Sequence, residues 1–131
     1  MDVIRGLLWV ALGSAFGAMA RFLISGAVAR RVGETFPWGT IIVNVSGALA
    51  IGVLGGLAST GQGIFATPTP WLFAVPGFLG CYTTVSSFSL QTLSLARNGE
   101  MKRAAGNALL SVLLCLAAVA LGFHLALKFS A

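Results

Sequence analysis

Charge is scarce in this chain. Only 8% of its 131 residues are Asp, Glu, Lys or Arg, where a soluble domain carries about 25%. Hydrophobic residues make up 57%, and the mean hydropathy is +0.95. A soluble globular fold is therefore excluded, and the expectation is an all-α integral membrane protein. Acidic groups are scarcer still: Asp2, Glu34 and Glu100 are the three, and all fall at span ends or in loops. Proton-coupled transport usually needs a titratable group on the pathway, so a passive conduit is favoured over a pump. The single histidine, His124, lies near the end of an apolar run, where an imidazole facing headgroups is the expected state. With no buried carboxylate beside it, the many serines and threonines have no base to activate them, which argues against a hydrolase. No nucleotide-binding loop is present. The two cysteines, Cys81 and Cys115, fall inside apolar segments, define no disulfide framework and read as small buried hydrophobes.

Apolar runs of the length a membrane requires are plentiful. At ~20 residues per crossing, the chain has room for four spans with short loops and no separate soluble domain. The spans are read at about residues 4–24, 38–58, 71–97 and 104–127, as one domain over 1–131. The net charge of +5 comes mostly from Arg30, Arg31, Arg97, Lys102, Arg103 and Lys128 beside the spans. That placement suits interfacial anchoring and lipid headgroups, and no basic run with interleaved aromatics supports nucleic-acid binding.

In the first span Gly13 and Gly17 stand four apart, a spacing that lets helix backbones approach closely. Arg5, the apolar run and Ala18-Met19-Ala20 imitate a secretory signal, but the later spans argue against that reading. Arg21 follows the run directly and either snorkels from the helix end or faces a polar cavity. Arg30, Arg31, Gly33 and Glu34 read as a loop before Pro37, which suits a helix's first turn. In the second span Asn44 is a lone amide whose donors are costly to leave unpaired; it is either glue between helices or part of a path. Ala48, Gly52 and Gly56 form a smooth face, and Trp38 is an interfacial anchor. Residues 59–70 read as a loop, with Pro68 and Pro70 taken to rule out a helix. In the fourth span Asn107 and Ser111 share a face.

The third span is the unusual one. Pro76, Gly77 and Gly80 weaken its helix, and after Thr83 a helical pattern resumes. Val85, Phe88, Ser89 and Thr92 then fall on one stripe, and Thr84, Ser87 and Gln91 on a polar neighbour. Inside a membrane such a polar face must line a cavity or meet another helix, and interrupted helices of this kind commonly mark ion sites. Asn44, Thr83, Thr84, Ser86, Ser87 and Ser89 supply neutral donors there, and Phe88 presents a positive ring edge. That combination suits a small, hard anion.

Three segments in order, Gly17 to Phe22, Pro37 to Asn44 and Gly77 to Thr92, resemble the motifs of the small bacterial fluoride channels, the CrcB/Fluc family. The resemblance implies a fluoride-selective passive channel that lowers cytoplasmic fluoride from a prokaryotic plasma (inner) membrane. It further implies four transmembrane helices per subunit, the third broken near its middle, in an antiparallel dual-topology dimer with two pores. A structural sodium ion at the dimer interface would take backbone carbonyls from Gly80 and Thr83. Arg21 would sit in the vestibule; Asn44, Thr84, Val85, Ser86, Ser87 and Phe88 would serve the anion path, with Ser111 a candidate from the fourth span. One position departs from the pattern: where the family usually has phenylalanine three residues before Phe88, this chain has Val85, which has no ring edge.

The basic residues favour one side of the membrane: Arg30, Arg31, Arg97, Lys102 and Arg103 against Arg5 and Lys128. The bias leaves two assemblies open, a homodimer and a heterodimer with an oppositely oriented paralogue. Two other functions are also compatible with the size: one half of a small multidrug or cation antiporter, which would be expected to need a membrane carboxylate, and a non-transporting assembly subunit.

Overall fold

The computed structural model describes residues 2–61 and 63–130; Gln62, in the expected loop, lies outside them. The described chain is helical and multi-pass. Helix α1 covers Val3–Val32, α2 Trp38–Ser59, and a 3-10 turn Ile64–Ala66. The third segment is assembled from α3 (Pro68–Leu72), a π-helical stretch (Phe73–Leu79), α4 (Gly80–Tyr82) and α5 (Val85–Arg97), and α6 runs from Met101 to Ser130. Among the described residues three helices, α1, α2 and α6, are long and apolar enough to cross a membrane.

The boundaries differ from expectation where caps decide them. Helix α1 continues past residue 24 and takes in Arg30 and Arg31, so these are not loop residues. Their charges lie in the last turn, where a helix end favours cations. The helix stops at Gly33, whose φ of 83° suits glycine and whose N–H returns to Ala29 O at 2.9 Å. Pro68 and Pro70 do not prevent a helix: Pro68 opens α3 after the extended Thr67. The first N–H groups of a helix have no internal partner, so prolines there forfeit nothing. Pro76 lies within the π stretch. A helical proline clashes with the carbonyl four residues back, and the wider π turn relieves that clash.

The turn after α5 is a Schellman closure: Glu100 N–H bonds Leu95 O at 2.9 Å and Gly99 N–H bonds Ala96 O at 3.1 Å, with Gly99 at φ 80°. Helix α6 therefore starts at Met101, ahead of the expected span start at 104, and takes in Lys102 and Arg103.

Close backbone contact holds the helices together. A Cβ on Gly13 would overlap Phe73 O, and one on Gly17 would overlap Phe78 O, so α1 lies directly on the π stretch. Helix α2 packs chiefly along α6; there Gly52 faces Val119 O and Gly122 faces Leu49 O, while Gly56 meets Ala126. The expected smooth face of α2 is thus realised at Gly52 and Gly56, with Ala48 only half-buried. Large apolar side chains point outward, among them Leu8, Leu12, Phe16, Leu113 and Leu116. Glycines inside and leucines outside is the arrangement that lipid permits, because apolar surface need not be hidden there.

A polar furrow at the break in the third segment

The backbone turns extended at Thr83 and Thr84, at ψ 159° and 118°; Thr83 N–H keeps its helical bond to Leu79 O at 3.0 Å, and the ladder lapses at Thr84. Inside a bilayer each freed backbone group needs a partner, and Asn44 supplies two. Its Nδ2 donates to Thr84 O at 2.9 Å, and its Oδ1 accepts from Thr84 N–H at 2.7 Å. One side chain thereby clamps both backbone groups of a single residue. In an unbroken helix, the Thr84 N–H would bond Gly80 O; here it is diverted to Asn44.

Neighbouring residues complete the joint. Arg21 Nη1 donates to Thr83 O at 3.4 Å. Thr84 Oγ1 accepts from Ser87 N–H at 3.2 Å and so caps α5; the same hydroxyl lies 3.2 Å from both Ser86 Oγ and Ser87 Oγ. Beneath the joint, Val43, Leu79 and Tyr82 form the buried core, and Tyr82 stacks on Phe78 at 5.7 Å. The Tyr82 hydroxyl lies 2.7 Å from Ser46 Oγ. Gly47 faces Thr83 Cγ2 so closely that a Cβ would overlap it.

A furrow leads away from this joint between α1, α2 and α5. Its narrow end, a cavity of about 200 Å³, is lined by Arg21, Val43, Thr84 and Ser87. Its wide end, about 660 Å³, is lined by Thr35, Gln91, Ser94, Asn98, Glu100 and Arg103, among others. Ser25, Thr40 and Ser87 line both, so the two adjoin. The edge of α5 facing it, Thr84, Ser87, Gln91, Ser94 and Asn98, keeps helical spacing. The polar stripe read in the sequence is therefore a cavity wall, and it runs further than Gln91. Gln91 Oε1 is buried with no hydrogen-bond partner, and a half-turn about the terminal torsion would place its NH2 there instead, so this amide has bonding capacity to spare.

The three motifs, far apart in sequence, thus meet at one point through Arg21, Asn44, Thr83 and Thr84. Other expected site residues lie at its edge or elsewhere. Ser86 is exposed although its hydroxyl reaches Thr84 Oγ1, Val85 is 76% exposed on the outside of the chain, Ser89 and Gly80 are exposed, and Phe88 is half-buried. Ser111 is buried but faces neither the joint nor the furrow. It donates to Asn107 Oδ1 at 3.4 Å, and Asn107 Nδ2 donates to Thr92 Oγ1 at 2.8 Å. This chain of bonds ties α5 to α6, and Asn107 is 1% exposed. The stripe Val85, Phe88, Ser89 and Thr92 is consequently divided, with Thr92 turned to α6 and Val85 turned outward. Tyr82, Ser46 and Thr40 were not singled out from sequence. Ser46 stands two residues from Asn44 in the same helix and so points away from it, and only the packing shows what it meets.

Comparison with known proteins gives the family. The family described as "CrcB-like protein, Camphor Resistance (CrcB)" matches residues 8–123. A protein of Rhodopseudomonas palustris (strain BisB18), "Fluoride-specific ion channel FluC 2", is 70% identical over 122 residues, which is 93% of each chain. A protein of the same name in Bradyrhizobium diazoefficiens is 64% identical over 124 residues, covering 95% of this chain and 90% of its own. "Fluoride-specific ion channel FluC" of Methylocella silvestris is 50% identical over 115 residues, 88% of each. The family match takes in Arg21, Asn44 and the whole broken segment, and on that footing the chain belongs to the CrcB family.

Proposed function

We propose that this protein is a fluoride-selective passive channel of a prokaryotic inner membrane, through which fluoride leaves the cell. The observation that carries the reading is the clamped break opening onto a furrow walled by neutral donors. Hydroxyl and amide groups replace part of an anion's hydration without binding it as tightly as a fixed cation would, which a conducting site requires. Arg21, at the narrow end, contributes a positive charge close to the joint and draws anions inward. Among the described residues no acidic side chain lies within the span-length helices or the broken segment, and an antiporter's proton exchange would be expected to need one.

The third segment, from α3 to α5, is read as the fourth membrane crossing of the subunit, interrupted at Thr83 and Thr84. Several expected site residues face outward. Gly80 and Val85 lie on the surface of the single chain, so any part they play would be completed by a second subunit. A homodimer of oppositely inserted copies meets that need. The charge bias between the two ends keeps the heterodimer with an oppositely oriented paralogue as the competing assembly. Labelling tags at both ends in whole cells separates them: a homodimer of dual topology exposes each tag on both sides, and one fixed orientation would contradict it.

The carbonyls fit a structural sodium ion. Thr83 O takes no bond from α5, because Ser87 N–H is turned to Thr84 Oγ1; it accepts only the long 3.4 Å bond from Arg21, which leaves a lone pair for a cation. Gly80 O loses the Thr84 N–H to Asn44. Released carbonyls are the ligands a hard monovalent cation prefers, and Gly80 and Thr83 are the residues that would hold it. When bound, the ion would supply a fixed positive charge at the break. Phe88, Ser86 and Ser87 would continue the anion path, with Val85 beside them; Ser111, bonded within the subunit, is the weakest of these candidates.

Purified protein in liposomes tests the reading. Fluoride is expected to leave rapidly and chloride slowly, with no proton gradient imposed; equal release of both anions, or of neither, would contradict it. In the same assay V85F is expected to alter rate or selectivity, because a ring edge at that position offers a contact that valine lacks. Unchanged flux and selectivity would show that an aromatic there is immaterial.

A further inference from the structure

The wide end of the furrow is bordered by charge, whereas its walls are neutral. Glu100 and Arg103 both line the cavity and are joined in an i, i+3 ion pair. Glu34, exposed on the segment between α1 and α2, lines it too. The pair is half-open to water, with side-chain exposures of 36% for Glu100 and 45% for Arg103, so it contributes little to stability. Arg103 also lies in the first turn of α6, which has no acidic residue there. A helix N-terminus is the end that disfavours cations. Neither helix stability nor ion pairing therefore requires a cation at this spot. Headgroup anchoring suits it, and its position on the lining of the wide end also sets it beside the furrow.

We propose that Glu100 and Arg103 act as opposed charges on the furrow's rim that set the local concentration of entering anion. Arg103 raises it, and Glu100, paired with Arg103 and supported by Glu34, holds it down. The inference rests on the channel reading and deepens it by assigning two residues outside the family-like motifs to the entry step. Its physical basis is the field of unit charges at the mouth of a cleft, which changes local ion concentration severalfold and is screened by salt.

The sign of the response separates this role from a structural one. If the pair only stapled the α5–α6 turn, removing either partner would have the same effect. If it sets rim charge, the two removals act oppositely. In liposomes at about 0.1 M ionic strength and sub-saturating fluoride, E100Q is expected to raise the initial efflux rate about 2-fold and R103Q to lower it about 2-fold. At about 1 M, where screening acts over ~3 Å, both should converge on wild type. The exchanged pair E100R/R103E restores the rim's net charge and should lie near wild type at both salts. Changes of the same sign in E100Q and R103Q, or no change in either, overturn the rim assignment alone, provided that wild-type liposomes conduct. Wild-type liposomes that release no fluoride overturn the channel reading and this inference with it.

Discussion

Asn44→Ala should lower fluoride flux by at least about 30-fold while leaving the protein assembled. The clamp provides the partners for the N–H and the carbonyl of Thr84, and alanine strands both on a residue that is only 8% exposed. Each unsatisfied group costs about 1–3 kcal/mol. Even 2 kcal/mol disfavours the clamped break about 30-fold, since 1.4 kcal/mol is a factor of ten. The helices themselves are held by contacts far from Asn44, notably α2 along α6 and α1 on the π stretch, so size-exclusion behaviour in detergent should persist. Asn44→Asp separates the two halves of the clamp. The carboxylate still accepts from Thr84 N–H, but it sets a second oxygen against Thr84 O and adds a charge that repels anions, so flux should fall at least as far. Full flux in Asn44→Ala would show that the break keeps its shape without the clamp. Loss of assembly with no effect on the flux of the remaining folded protein would favour the non-transporting subunit, in which Asn44 is only glue.

Gly17→Val should have the opposite signature, failing at assembly. The added Cβ would overlap the Phe78 carbonyl, which is backbone and has no rotamer to yield. Overpacking of this kind costs about 1–3 kcal/mol and sometimes more, and here relief requires α1 to leave the π stretch. The expected result is loss of a monodisperse peak and a lowered unfolding temperature, with flux lost only because folded protein is lost. Gly106→Ala is the internal comparison, since a Cβ there meets nothing within 4 Å; it should match wild type in both readouts. A Gly17→Val protein of normal stability would mean that α1 and the third segment are not held in contact as described.

Much of the site was legible because membrane burial makes polar residues conspicuous. Asn44, Arg21 and the Thr84, Ser87 and Gln91 stripe stood out against apolar runs, and all five line the furrow or bond to the break. Helix ends were less legible. Proline reads as a breaker from sequence, yet Pro68 begins a helix because its missing N–H would have had no partner there. Arg30 and Arg31 read as loop residues, yet only Gly33, with its left-handed backbone, ends α1.

By itself the sequence determined that this is a helical membrane protein with an interrupted third segment and neutral donors beside it. Those properties follow from hydropathy and from residue types that lipid tolerates only when they are satisfied. Tertiary structure alone decided which groups satisfy which. Asn44 and Thr84 are 40 positions apart, and no local spacing announces that one amide would clamp both backbone groups of the break. Ser111, a candidate only through the family resemblance, makes the same point: packing sets its hydroxyl against Asn107 Oδ1. A hydroxyl's chemistry is set by its residue, and its role by the neighbour it reaches, which depends on how separate helices cross.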